Sequence, residues 1–205
     1  MTDVDEAQLV DAAKAGDASA LSDLLDAWQH RLFNVCLRML THRDDAAEAA
    51  QETMLKVVQH IGNFDGRSKV GTWMIRIAMN ESISTLRKRK RRYTESLDAG
   101  SDGSQASALR KQVVDQREPS PELSVQTSEE LAHLQTALAR IDEDYRSVLI
   151  LRDIEQMDYQ QIADVLDAPL GTVKSRLFRA RLALRQQMLK QIERPHEPQA
   201  HRAAK

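Results

Sequence analysis

Asp158–Lys190 reads DYQQIADVLDAPLGTVKSRLFRARLALRQQMLK, and the spacing of its apolar residues decides the fold. Ile162, Ala163, Val165 and Leu166 have short-helix spacing. Asp167, Ala168 and Pro169 interrupt it. A second helix starts at Gly171-Thr172, with apolar Val173, Leu177, Ala180 and Leu184 at i, i+4, i+7 and i+11. Two helices across a tight turn, with small Ala163 where they cross, form a helix-turn-helix pattern. Asp167 occupies the turn, and aspartate tolerates the left-handed backbone better than most residues. The second helix is one-sided in charge: from Leu170 to Lys190 there are six basic residues (Lys174, Arg176, Arg179, Arg181, Arg185, Lys190) and no acidic one.

A helix fits the DNA major groove, where its first turns reach base edges and flanking cations meet phosphates. Thr172, Lys174, Ser175, Phe178 and Arg179 stand on those first turns and are the candidates for base and near-base contacts. Arg181 and Arg185 lie further along and suit phosphate. The competing reading is a solvated amphipathic helix whose arginines cover the surface.

The 205 residues carry 29% charged and only 4% aromatic side chains, a profile that suits small helical domains better than a β-sandwich. The net charge of −2 shows that the cations are concentrated rather than dominant, which implies local nucleic-acid contacts beside acidic surface. Cys36 is the single cysteine and sits in an apolar helical pattern, so it reads as a buried structural thiol. The six histidines pair with no cysteine or carboxylate at ligand spacing, so neither a metal nor a cofactor is expected. No run approaches the ~18 apolar residues of a membrane span, and MTDVDEAQLV lacks a basic-then-apolar signal; a cytoplasmic protein is expected.

The rest of the chain is helical in pattern. Residues 5–15 form a short acidic helix ended by Gly16-Asp17. Leu21, Leu25, Trp28, Leu32, Val35, Cys36 and Met39 mark one face of a long helix over 18–41. Asp44-Asp45 supplies an N-cap and first-turn charge for the next helix, which turns Ala47, Ala50, Met54, Val57 and Ile61 inward. Glu48, Gln51, Glu52 and Lys56 lie on its other face. After a glycine-punctuated loop, NFDGRSKVG at 63–71, Thr72 caps a helix that runs into six consecutive cations, Arg87–Arg92. Tyr93–Ser128 is rich in Ser, Gly, Gln, Glu and Pro and reads as a flexible linker. A second domain over 129–190 begins with a helix marked by Leu131, Leu134, Leu138 and Ile141. A helix over 142–152 and the helix-turn-helix pair complete it, and residues 191–205 read as a disordered tail. The expected fold is all-α in two domains.

Flexible loops and aromatics beside basic grooves hold unstacked bases. Phe64 and Trp73 suit that role, although core packing is the first reading of Trp73.

Three stretches carry a family resemblance. GTVKSRLFRAR, preceded by YQQIADVLDAP, resembles region four of bacterial RNA polymerase sigma factors of the extracytoplasmic-function group. DDAAEAAQETMLKVV resembles the core-polymerase-binding segment of sigma region two, with Gln51 and Glu52 matching. GTWMIRIAMNESISTLRKRKRR resembles the segment that melts and reads the minus-ten element, with Trp73, Arg76, Ile77, Ala78, Asn80 and Arg87 matching. The resemblance covers residues 18–92 and 129–190, with Ala47, Ala49, Ser84 and Asp167 departing from the usual Glu, Leu, Asp and Gly. It implies that residues 1–92 form the region-two domain, and that Glu48, Gln51 and Glu52 meet the basic coiled coil of the polymerase clamp. It further implies that the 63–70 loop receives a flipped non-template base, that Phe64, Trp73, Arg76 and Asn80 approach the minus-ten DNA, and that Arg87, Lys88, Arg89, Lys90, Arg91 and Arg92 bind phosphates just upstream. The helix from Thr172 would read the minus-thirty-five element. The implied partners are core RNA polymerase, promoter DNA and an anti-sigma factor, which the sequence does not identify.

Two other classes compete. A stand-alone regulator would share the helix-turn-helix, but residues 44–92 show no apolar sensor pocket and end in a basic run. A helical enzyme would need a phosphate-cradling glycine loop, a nucleophile–base pair or metal ligands, and none is legible.

Overall fold

A computed structural model of the chain describes residues 3–98 and 125–192, and no strand occurs among them. Eight α-helices follow in order: α1 Asp3–Lys14, α2 Ala18–Leu40, α3 Arg43–His60, α4 Val70–Asp98, α5 Val125–Ala139, α6 Glu143–Leu149, α7 Tyr159–Leu166 and α8 Leu170–Ile192. Residues 93–98 continue α4 and 125–128 open α5; the remainder of the expected linker, and the tail beyond residue 192, lie outside the described residues.

Local chemistry sets the helix ends. The Asp17 carboxylate accepts from the Ser19 and Ala20 N–H groups at 2.8 and 3.2 Å and starts α2. Thr41, at φ 62°, turns the chain left-handed and ends it. The N-cap of α3 is His42, with no side-chain capping bond, whereas a cap at Asp44-Asp45 was expected; the two aspartates lie inside the first turn, where they act on the helix dipole instead. Likewise α4 begins at Val70, which puts Thr72 within the helix and not at its cap. Asp158 and Gln161 form a reciprocal capping box at the start of α7, and Asp167 closes that helix at φ 48°. The left-handed turn expected at Asp167 is therefore present without glycine.

Helix α2 is the axis of the N-terminal half. Leu24, Leu32, Val35, Cys36 and Met39 are buried on it, and α1, α3 and α4 pack around them. On α3 the buried face is Ala46, Ala49, Ala50, Thr53 and Val57. Ala47, expected inside, is exposed, because the buried stripe is set one residue earlier on the 3.6-residue period. In the C-terminal half α8 packs against α5, α6 and α7, burying Leu138, Val148, Leu149, Ile162, Val173, Leu177 and Ala180.

The two halves share a continuous core. The chain leaves α6 through a π-helical turn, Ile150–Ile154, and Gln156 then reverses it at φ 58°. This geometry carries the buried Glu155 carboxylate to Arg31 of α2, at 2.8 Å. A second bridge is Arg146, whose guanidinium donates to the carbonyls of Met39 at 2.5 Å, Ile141 at 2.9 Å and Ala139 at 3.3 Å. Met39 lies in the last turn of α2, where carbonyls lack helical partners.

Cys36 is fully buried, and burial pushes its thiol up to about 11. Thiolate is the reactive form, so the folded protein at pH 8 should react with a thiol reagent at under a tenth of the rate seen in denaturant. A stopped-flow absorbance measurement with and without guanidinium checks this.

Candidate nucleic-acid interface

The start of α8 presents Lys174, Ser175, Phe178 and Arg179 to solvent while Val173, Leu177 and Ala180 are buried beneath them. Phe178 is 68% exposed, far more than a packing role would leave it. Thr172 is half-buried and its carbonyl accepts from the Ser175 hydroxyl at 3.0 Å. Lys174 lies 5.9 Å from the Tyr159 ring centre, which holds its ammonium over the turn between α7 and α8. The other cations divide. Arg176 pairs with Asp144 at 2.6 Å, and Arg181 donates twice to Asp153, at 3.1 and 2.5 Å. That exposed ion pair raises the Arg181 pKa further and occupies the face expected to meet phosphate. Arg179 and Arg185 have no ion partner among the described residues and remain available.

The second surface is the loop before α4 and the exposed stripe of α4. Asn63 and residues 65–69 are exposed. The Asp65 carboxylate accepts from the Arg67 N–H at 3.0 Å, and Gly66, at φ +73°, supplies the tight bend. Phe64 corrects an expectation: it is 8% exposed, its ring lies 5.4 Å from Trp73, and it anchors the loop instead of offering a free stacking face. Trp73 is half-buried, so packing takes one part of its surface and leaves another open. Arg76, Asn80 and Arg87 follow it at i+3, i+7 and i+14 as one exposed stripe. Lys88, Arg89, Lys90, Arg91 and Arg92 are exposed as well. Arg89 forms an ion pair with Asp45 at the start of α3. That contact ties α4 to α3 and withdraws one cation from the basic run.

The third surface is on α3. Glu48, Gln51 and Glu52 are exposed on one stripe, and the same stripe continues into Leu55 and Val58, which are 47% and 44% exposed. The stripe is thus an exposed patch of mixed acidic and aliphatic character. Leu55 and Val58 had not been singled out; the signal was their position off the Ala46/Ala50/Val57 line.

Comparison with known proteins bears directly on these surfaces. The family models Sigma-70 region 2 and Sigma-70, region 4 match residues 24–92 and 131–184. An ECF RNA polymerase sigma factor of Bacillus subtilis, SigW, is 34% identical over 85% of this chain and 92% of its own length. The chain belongs to the sigma-70 family, in its extracytoplasmic-function group. The RNA polymerase sigma-H factor of Pseudomonas aeruginosa is 33% identical over 90% of this chain and 94% of its own. The fold agrees as well. RpoE from Bartonella quintana, solved with the anti-sigma factor NepR, superposes with a TM-score of 0.64 at 24% identity, covering 82% of this chain and 96% of that one. CnrH, solved with the cytosolic domain of CnrY, gives 0.63 at 19% identity, covering 93% and 99%.

This sigma factor directs promoter-specific transcription initiation with RNA polymerase and promoter DNA as its partners. Among its described residues no helix is long and apolar enough to cross a membrane. The three surfaces lie on α3, on α4 with its preceding loop, and on α8. In the arrangement seen here two of them abut: Ile83 and Arg87 of α4 line one cleft with Pro169, Thr172 and Arg176.

Proposed function

We propose a division of labour among these surfaces. The α8 stripe Lys174, Ser175, Phe178 and Arg179 reads the minus-thirty-five element, with Thr172 beside it and Arg185 toward phosphate; Arg181 joins it only on release from Asp153. The 63–70 loop, Trp73, Arg76 and Asn80 capture and read the melted minus-ten strand. Arg87, Lys88, Lys90 and Arg91 hold the duplex phosphates just upstream. Glu48, Gln51 and Glu52, extended by Leu55 and Val58, dock on core polymerase. Residues 1–92 and 129–190 act as the two domains and 93–128 as the tether between them. The protein contributes no catalysis of its own and works in the cytoplasm, where the polymerase is.

The observation that carries this reading is the exposure of the Lys174–Arg179 stripe at the head of a helix that has no acidic residue from Leu170 to Lys190. The two surfaces that meet DNA touch in the closed arrangement, whereas elements about 25 base pairs apart lie on the order of 85 Å apart along duplex DNA at 3.4 Å per pair. Use of both elements at once therefore requires the halves to part. An anti-sigma factor that holds them together would silence the protein; RpoE of Bartonella quintana, one of the structural neighbours above, was solved with an anti-sigma factor.

Docking through α3 is tested on the polymerase itself. Glu52→Lys combined with Leu55→Asp reverses one charge and buries another against the clamp. Affinity for core polymerase should fall at least 100-fold by fluorescence anisotropy, with the melting temperature within a few degrees of wild type because both residues are exposed. Unchanged affinity would remove α3 from the docking surface.

A further inference from the structure

Helix α1 lies outside both sigma matches, the first of which begins at residue 24, yet it holds both ends of the loop that precedes α4. At the loop entry the Lys14 ammonium donates to the Phe64 carbonyl at 2.8 Å. Phe64 is where the 3-10 turn Ile61–Asn63 stops: its N–H bonds to the Ile61 carbonyl at 3.0 Å and its ring is buried against Trp73. At the loop exit the Glu6 carboxylate accepts from the Trp28 indole N–H at 2.8 Å. That bond fixes the ring against which Gly71 sits, so close that a Cβ on Gly71 would lie 2.1 Å from the ring. Residues 65–69 are exposed between the two anchors.

A loop with fixed ends has fewer conformations to lose when it closes on a ligand, and the entropy it does not lose appears as affinity and selectivity. We infer that Lys14 and Glu6 are positioning residues for promoter melting: through them α1 sets the spacing and orientation of the 64–71 loop that receives the flipped base. The inference rests on the reading of that loop as the minus-ten pocket. Neither residue touches DNA in this account. Lys14 acts through the Phe64 carbonyl and Glu6 through the Trp28 ring.

The probe is a fluorescent single-stranded oligonucleotide carrying the minus-ten sequence selected by run-off transcription from a promoter library, paired with a copy mismatched at its flipped base. Holoenzyme assembled from core polymerase and the full chain is titrated with each. Wild type should prefer the matched strand. Lys14→Met should cut that preference at least fivefold, and Lys14→Arg, which keeps a donor, should restore most of it. Glu6→Leu should act like Lys14→Met, with Glu6→Gln, which keeps an acceptor for the indole, near wild type. Affinity for core polymerase, which uses α3, should be unchanged in all four. A merely structural role would lower stability and core affinity together and leave the base preference of the folded fraction intact. Full preference in both Lys14→Met and Glu6→Leu overturns the inference. Absence of any preference in wild type instead overturns the reading of the loop itself.

Discussion

Arg146→Ala should cost about 3 kcal/mol or more of folding stability, because three backbone carbonyls lose a donor, two of them, of Met39 and Ile141, in buried hydrogen bonds. Arg146 is 7% exposed, and burial lowers its pKa, with Glu143 and Asp142 acting the other way. The residue remains charged at any working pH. Its value comes from geometry: one planar fork reaches the last turn of α2 and the end of α5 at once. Lysine keeps the charge but not the fork, so Arg146→Lys should recover less than half of the loss. Urea denaturation followed by circular dichroism measures both. Since Met39 and Arg146 lie in different halves, the alanine variant should also separate them, read as a larger radius of gyration in small-angle scattering before unfolding begins. A loss under about 0.5 kcal/mol with unchanged dimensions would show that the halves are held by their apolar contacts alone.

Gly71→Ala should be the most damaging single-methyl change at the promoter-melting surface. The added Cβ would lie 2.1 Å from Cη2 and 2.5 Å from Cζ2 of Trp28, and neither a ring nor the backbone of α4 yields cheaply. Overpacking of this kind costs about 1–3 kcal/mol, and relief requires the start of α4 to move away from α2. That movement displaces Lys69 and Thr72 beside the loop, so run-off transcription should fall at least tenfold at a temperature where the variant is still folded. Trp28→Leu frees the space while removing the ring, and its combination with Gly71→Ala should be much less than additive. Additive losses would show that the Gly71–Trp28 contact is not the cause.

How far the sequence alone reached depends on the range of each interaction. The helix-turn-helix was legible because burial there is local: Val173, Leu177 and Ala180 recur at helical spacing and the structure buries all three. The all-α architecture followed from the same periodicity. Asp167 was legible as a turn residue despite the departure from glycine, since its own side chain tolerates the left-handed backbone. Phe64 was misread because it stands between glycines in a loop, and its burial depends on Trp73, nine positions on, and on Lys14, fifty positions back. Arg89 stood in an unbroken run of cations, so nothing in the run marked it as the partner of Asp45. Arg146 and Glu155 carry no signal in the sequence; each has a partner in the other half of the chain, 107 and 124 residues away, and no local pattern encodes such pairs. Periodicity identified the buried line of α3 to within one residue. Leu55 and Val58 stand off that line, so the same periodicity carried the signal for their exposure.

The most direct test of the central claim is run-off transcription from a promoter library by purified bacterial core polymerase, with and without this protein. Transcripts should appear only when the protein is added, and the enriched templates should share two short elements near minus ten and minus thirty-five. Lys174→Ala with Arg179→Ala should erase the preference for the upstream element at least tenfold while leaving the downstream preference in place. Transcripts independent of the protein, or an upstream preference untouched by the double variant, would contradict the assignment of promoter reading to α8.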